Sequence, residues 1–391
     1  MKKEEVFQSY KDFIMPTYTK APLIFVKGKG SQLWDIQGKA YLDFFPGWGV
    51  GNLGHCHPKV MQAVRDQVSK LIFIPNNYHH LLQAKLASEI VYRTFPAKVF
   101  FCNSGAEANE AAIKFCRKFG AGRYEIITFQ NSFHGRTLAA LAATGQKKYQ
   151  EGFAPLPEGF KTVRFNDLGA VQQAINEKTV AVLLELIQGE GGIHVAQQEF
   201  VSGLRKMCDE KNLLLIIDEV QTGIGRTGKL FCYQHFNVAP DIMTLAKALG
   251  GGFPIGVMVV KREMADTLQP GMHASTFGGG PVVCNAALAV LKALQTEKIL
   301  ANVNKMSEYL FSRLQTFKEK HPVIQEVRGK GLMVGIELER EAKVVVERCM
   351  EKGLLINCTH EKVLRLMPAL NITQKEMDKA LSIIEEALRG I

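Results

Sequence analysis

Nowhere in its 391 residues does the sequence hold an uninterrupted apolar run of the about 18 residues that a membrane-crossing helix needs. Met1 to Val6 is charged and no hydrophobic stretch of signal-peptide kind follows, so the chain is expected to stay in the cytoplasm. The eight cysteines, at 56, 102, 116, 208, 232, 284, 349 and 358, form no Cys-x-x-Cys pair and no regular framework. That excludes a disulfide scaffold or a thioredoxin-like pair and predicts reduced, mostly buried thiols. His55-Cys56-His57 has no downstream partner at zinc-finger spacing, so no metal site is expected. There is no basic run with interleaved aromatics. The formal charge of +10 (48 Lys and Arg against 38 Asp and Glu) is spread along the chain with acids between. It therefore predicts no nucleic-acid partner, and a positive field suits anionic small molecules. No GxxxxGK[ST] loop occurs, which argues against a nucleotide phosphate site of that type.

What is present fits a two-domain enzyme: the chain is too long for one small core, and its 47% apolar share is that of a globular protein. Leu33 to Asp43 reads as a hairpin turning at Gly38, followed by the Gly-rich stretch Pro46–Gly54. Pro58 then opens an amphipathic helix with Val60, Met61, Val64 and Val68 on its apolar face. From about residue 98 short apolar runs alternate with helical periods: Lys98–Cys102, Glu125–Phe129, Val180–Ile187, Leu213–Ile217, Ile242–Leu245 and Gly256–Val260. Such alternation predicts an α/β fold whose large domain is a mostly parallel sheet flanked by helices, with a smaller α/β domain beside it. The expected division is 1–45 as an N-terminal segment and hairpin joining the small domain, 46–280 as the large domain, and 281–391 as the small one. Helices are expected near 281–294, at Glu341–Glu351 and at Gln374–Leu388, and a strand at Val363–Met367. Val327 to Gly331 looks like a phosphate loop but reads as a turn before the strand Leu332–Glu337. His79-His80 reads as a helix start or pocket edge.

Four segments sit where a strand hands over to a loop or helix, the position at which open α/β sheets bind ligands. Asn103 to Glu110 follows the strand ending at Cys102. Its small residues let a helix begin abruptly, with free N–H groups that suit a phosphate. Asp218-Glu219-Val220-Gln221 puts a carboxylate at the end of a buried strand, a costly arrangement unless it meets a cation. Lys247 also ends an apolar strand, before Gly250-Gly251-Gly252. It is either a satisfied structural cation or a desolvated amine ready to form a Schiff base. Asp218 and Lys247 are separated by about one strand–crossover–strand unit, so both can face one pocket. In the fourth segment, His273 to Gly279, hydroxyls beside glycines add hydrogen bonds to a phosphate or merely shape a loop. Together these supply an amine for an aldehyde, an acid for a pyridinium nitrogen and donors for a phosphate, which is what pyridoxal phosphate requires.

The run of motifs resembles the class III (ornithine-type) aminotransferases, and within them most closely the acetylornithine aminotransferases. It includes Ser104 to Glu110 (Ser-Gly-Ala-Glu-Ala-Asn-Glu), Ser132 to Thr137 (Ser-Phe-His-Gly-Arg-Thr), Gln188 to Gly192 (Gln-Gly-Glu-Gly-Gly), Asp218 to Gly228, and Lys247 to Gly256, in family order. The resemblance extends from Trp34 to Arg365 and implies a fold-type I pyridoxal phosphate enzyme. It implies that Lys247 binds the cofactor and moves the proton between substrate and cofactor, and that Asp218 keeps the ring nitrogen protonated. Gly105 and Ala106 would bind the phosphate, Phe133 would stack on the ring, and Gln221 would lie near the phenolic oxygen. Thr276 would reach the neighbouring subunit's cofactor, making a homodimer with shared active sites the smallest working unit. Arg136 would clamp a substrate carboxylate, Ser275 would touch substrate, and Arg365 would be a second arginine paired with Glu190.

The resemblance also implies a ping-pong transfer from the terminal amine of N-acetylornithine to 2-oxoglutarate through pyridoxamine phosphate, in arginine biosynthesis. Ornithine, succinylornithine, succinyldiaminopimelate and 4-aminobutyrate stand as alternative donors. A glutamate-semialdehyde-type aminomutase, a decarboxylating relative, and a non-catalytic binding protein are the rival activities. Phe44 to Val50 departs from the family's small residues, and Trp48 there would narrow the pocket or favour another side chain.

Overall fold

The strongly apolar segments between residues 97 and 261 pair into one seven-stranded sheet. The structure is a computed structural model and describes residues 1–390. Across the sheet the strands run Ala97–Cys102, Gly256–Lys261, Ile242–Leu245, Leu214–Asp218, Thr179–Leu184, Glu125–Phe129 and Phe160–Val163. Gly256–Lys261 is antiparallel to both neighbours, and the remaining adjacent pairs are parallel. Thr179–Leu184 and Leu214–Asp218 are buried at every position. That explains their continuous apolar character, since central strands of such a sheet face helices on both sides. Phe160–Val163, a half-buried edge strand, carries no such run and was not anticipated.

Two four-stranded sheets and a two-stranded one, Ile187–Gln188 with His194–Val195, complete the fold. The anticipated hairpin, strands Gln32–Asp35 and Ala40–Asp43, is joined by Phe25–Lys29 on one side and Leu354–Leu355 on the other. Leu42 lies opposite Leu354 in parallel register, so the N-terminal hairpin is stitched to the C-terminal part of the chain. The other four-stranded sheet contains Ile324–Lys330, Met333–Leu338, Val363–Leu366 and Asn357–Thr359. Here the expected turn at Val327–Gly331 is corrected. Residues 327–330 belong to a strand paired antiparallel with Met333–Leu338, and the reversal begins at Gly331. Charged residues at alternate positions, Glu326, Arg328 and Lys330, hid the strand from a search for apolar runs.

The helix Pro58–Val68 forms where Pro58 predicts it, but its inward face is Val60, Val64 and Gln67, and Val68 is exposed. Pro281–Thr296 and Gln374–Leu388 match expectation; Ile299–Lys320 and Lys3–Phe13 were not anticipated. Thr373 caps Gln374–Leu388 in a reciprocal box with Glu376. His80 caps Leu81–Val91 by accepting from Gln83 N and lies 2.8 Å from Gly279 O. His55 and His57 each meet a carboxylate, Asp43 at 2.7 Å and Glu297 at 3.1 Å. Six of the eight free cysteines are buried. Among the described residues no helix is long and apolar enough to cross a membrane.

Arg226 locks the sheets together. Fully buried and, among the described residues, without a carboxylate partner, it donates to Leu332 O at 2.9 Å, Pro368 O at 2.6 Å and Asn52 Oδ1 at 2.5 Å. Burial pushes its pKa down to about 9. The loop after Asp218, the Gly-rich stretch and the strand bearing Arg365 are thereby held against one another.

Candidate active site

A cavity of about 490 Å³ opens at the C-terminal ends of the parallel strands, as the topology of an open α/β sheet leads one to expect. Asn103 to Ala106, Phe133 to Arg136, Asp218, Gln221 and Lys247 all line it. Asp218 is the last residue of its strand, and Lys247 lies just beyond the end of the adjacent parallel strand. The two groups central to the proposed cofactor chemistry therefore face one space.

At one end of the cavity the helix Gly105–Phe119 begins. Ser104 caps it by accepting from Glu107 N, while the Glu107 carboxylate accepts from Asn103 N at 2.5 Å. The N–H groups of the first turn have no partners within the helix and confer partial positive charge. Gly105 is needed for close approach: a Cβ there would lie 2.7 Å from Val220 Cγ1 in the turn after Asp218.

Asp218 is 4% exposed. Its Oδ2 accepts from Asn109 Nδ2 and faces His134 Nδ1, both at 2.8 Å, and its Oδ1 accepts from Val220 N at 3.0 Å. An ionised carboxylate only accepts, so His134 carries its proton on Nδ1 in this contact. Asn109 is itself oriented by Thr244 Oγ1, which donates to its Oδ1 at 2.8 Å. The carboxylate is thus held rigidly, and Oδ1 retains accepting capacity for a further donor.

Lys247 adopts φ +47°, a left-handed conformation that is uncommon for a lysine. Burial lowers the pKa of its amine; Asp218, Glu190 and Glu185 act the other way but do not cancel the effect. A lowered pKa leaves more of the amine neutral and nucleophilic.

Glu185, Asn109 and His134 also line the cavity, and the sequence motifs assign none of them a role. Glu185 follows the strand Thr179–Leu184 as Asp218 ends its own, so the same signal, a carboxylate closing an apolar run, marks it. Burial raises its pKa to about 7, and Asp218 adds to the rise. His134 and the N–H groups of Phe133 (2.9 Å) and Gly189 (3.3 Å) oppose it.

Arg365 and Glu190 lie beside the cavity. Arg365, 1% exposed, donates from Nη1 to Glu190 Oε1 at 2.5 Å and to Gly189 O at 2.8 Å. Its other edge reaches Asn357 Oδ1, and Phe45 lies 4.7 Å beneath the guanidinium. Burial favours a protonated Glu190, but the Arg365 charge and hydrogen bond overcome it, helped by Lys247 and Gln221, and hold the carboxyl below its ordinary range. Arg136, by contrast, is exposed and lies 3.9 Å over the Tyr149 ring. Trp48, 44% exposed, packs edge-on against Phe45 at the positive φ of +57°. Thr276 and Ser275 are not brought into this cavity within one chain. Thr276 is exposed, and Ser275 Oγ accepts from Asn103 Nδ2 at 3.2 Å on a neighbouring surface.

These residues fit pyridoxal phosphate. The cavity offers free helix-start donors, an anchored carboxylate and a desolvated amine. Among the described residues Gln221 Oε1, buried there, has no hydrogen-bond partner and is open to a ligand. Comparison with known proteins agrees. The family model "Aminotransferase class-III" matches residues 13–388. The acetylornithine aminotransferase of Caldanaerobacter subterraneus subsp. tengcongensis is 52% identical, over 97% of this chain and 98% of the relative. The succinylornithine transaminase of Yersinia pseudotuberculosis is 44% identical over 96% of this chain and 94% of its own length. A crystal structure of Toxoplasma gondii ornithine aminotransferase, described as having partial occupancy of PLP at its active site, superposes with a TM-score of 0.96. It is 32% identical over 99% of this chain and 94% of that one. The chain belongs to the class III aminotransferases, a family of fold-type I enzymes that transfer amino groups with pyridoxal phosphate as cofactor.

Proposed function

We propose that the enzyme moves the terminal amino group of N-acetylornithine, or of a closely related ω-amino donor, to 2-oxoglutarate, as a step in arginine biosynthesis. The choice of donor rests on similarity to acetylornithine aminotransferases. The 44% identical succinylornithine transaminase keeps a larger acyl group open as the second reading. The observation that carries the two-substrate reading is the ion pair between Arg365 and Glu190. Closed, the pair presents no net charge to a donor whose reacting end lacks a carboxylate. Once Glu190 turns away, the Arg365 fork is free to take the second carboxylate of a dicarboxylic acceptor.

Bound in the cavity, pyridoxal phosphate supplies an aldehyde that exchanges for an amine and a ring that, protonated at nitrogen, takes up electrons from the substrate. Lys247 would anchor the aldehyde carbon and move a proton to and from the amine-bearing carbon of the substrate. Asp218, fixed by Asn109 and His134, would hold the proton on the ring nitrogen. The N–H groups of Gly105 and Ala106 would take the phosphate, the Phe133 ring would pack on the cofactor, and Gln221 would hydrogen-bond beside the phenolic oxygen. Arg136, held on aromatic rings with no acid partner among the described residues, would clamp the carboxylate common to both substrates.

We read the working form as a homodimer. Leu71, Ile72, Phe73, Tyr78, Leu81 and Phe277 are exposed on one chain, apolar surface that a second copy would cover. Thr276 and Ser275 share that region and would reach the partner's site. The pairing of Leu42 with Leu354 supports counting residues 1–45 with the small domain of 281–391, and 46–280 as the large one. The test is a panel of amine donors with 2-oxoglutarate as acceptor. N-acetylornithine is expected to give the highest kcat/KM with glutamate as product, and a higher value for ornithine or 4-aminobutyrate would overturn the assignment.

A further inference from the structure

The loop that carries Glu190 is gripped by side chains from three strands of one four-stranded sheet. Arg365 Nη1 donates to Gly189 O at 2.8 Å, Thr359 Oγ1 to Glu190 O at 2.6 Å, and Arg328 Nε to Gly192 O at 2.8 Å. The loop is closed on itself by Ile193 N donating to Gln188 O at 3.0 Å, and Gly192 takes a φ of +101° that few side chains tolerate. Thr359 is buried, so losing this bond would leave a buried polar group short of a partner.

The arrangement has a consequence for the ion pair. With its carbonyl fixed, Glu190 can leave Arg365 only by rotating its own side chain. The closed pair needs Glu190 Cα in one position to make its 2.5 Å contact, whereas the open state makes no such demand. Loosening the backbone therefore weakens the closed state selectively. We propose that Thr359 is a positioning residue for substrate selection: it holds Glu190 against Arg365 and so sets how the site divides its affinity between amine donor and dicarboxylic acceptor. Arg328 supports the same loop at Gly192. The inference rests on the reading of Glu190 and Arg365 as a gate.

The test is Thr359→Val in the full-length holoenzyme, which removes the donor and keeps the shape. With the best donor of the panel, KM for 2-oxoglutarate is expected to fall and KM for the donor to rise. Their ratio should shift by about three- to tenfold, the scale of one hydrogen bond. Thr359→Ser should restore the wild-type ratio. A purely structural role would move both constants the same way, and that result, or an unchanged ratio, overturns the proposal. Should Thr359→Val not fold, Thr359→Ala, which also loses the donor, takes its place: the same shift in the ratio supports the proposal, and an unchanged ratio overturns it. Glu190→Gln separates the two ideas. If it leaves the ratio untouched, the gate itself fails; if it shifts the ratio and Thr359→Val does not, only the role of Thr359 fails.

Discussion

Asp218→Asn is the perturbation that bears hardest on the chemistry, because the environment of the carboxylate leaves an amide no good orientation. If the amide oxygen replaces Oδ2, it still accepts from Asn109 and His134, but the NH2 group then faces Val220 N–H, a donor against a donor at 3.0 Å. If it is flipped, the NH2 group confronts the Asn109 amide at 2.8 Å, and His134 must change tautomer. In both orientations the negative charge is gone from a position only 4% exposed. Breaking a buried charged pair costs about 3–5 kcal/mol, which corresponds to about a hundredfold to a few thousandfold in rate if the whole loss falls on the transition state. The assay is kcat and kcat/KM with saturating pyridoxal phosphate, alongside cofactor affinity by titration of the apoenzyme. Glu219→Gln provides the control: the adjacent acid is equally buried, but its partners are Tyr233 N at 2.7 Å and Thr222 Oγ1 at 2.6 Å, and it does not line the cavity. A loss of less than about tenfold in Asp218→Asn, or an equal loss in the control, would refute the reasoning.

Lys247→Ala should abolish turnover while the circular dichroism spectrum stays that of the wild type; sustained turnover would remove this amine from the mechanism. Arg136→Ala should raise KM for carboxylate-bearing substrates by about tenfold to a hundredfold, the scale of hydrogen bonds to a charged group, and leave simple amines nearly unaffected. Equal losses on both classes would reject the clamp. Stability should depend on pH through Glu219, whose pKa burial raises from 4.5 to about 7. The folded state then keeps a proton that the unfolded chain releases, so this contribution is fully present below 4.5 and is lost as pH rises through about 7. Glu219→Gln should accordingly flatten the fall in Tm between about pH 5 and about pH 8. Glu185 is raised for the same reason and leaves some slope, and parallel wild-type and variant curves would contradict the assignment.

The parts of the fold legible in the sequence were those where burial is two-sided. Glu125–Phe129 and Ile242–Leu245 begin and end where their apolar runs do, because both faces of those strands meet helices. Phe160–Val163 and Ile324–Lys330 escaped notice because partly exposed strands mix charge with apolar residues. Within the site, Asp218 and Lys247 could be read because each is a charge closing a hydrophobic strand. Glu185 bears the same mark but was absorbed into a longer apolar run that continues through Leu186 and Ile187. His134 and Asn109 carry no such mark. Their meaning lies in the 2.8 Å contacts each makes with Asp218, across 84 and 109 residues of chain, which no local pattern encodes.

The two arginines differ in the property that their proposed roles require. Arg136 is exposed and held over aromatic faces rather than by an acid, which leaves its fork open to a bidentate carboxylate. Arg365 is buried and neutralised, with Asn357, Gly189 and Glu190 engaging its donors and Phe45 beneath it. A second permanently free arginine would favour dicarboxylates throughout and would trap the product glutamate. A buried arginine with no acid would carry an uncompensated charge past every donor, at a cost of several kcal/mol. A retractable partner would meet both constraints, since on the proposed reading the charge would be cancelled with a monocarboxylate donor bound and exposed only when an acceptor carboxylate replaced Glu190. For such a partner to work, its backbone must stay still while its side chain moves, and that explains why the Gly189–Gly192 loop is fastened at its carbonyls and not through the Glu190 carboxylate alone.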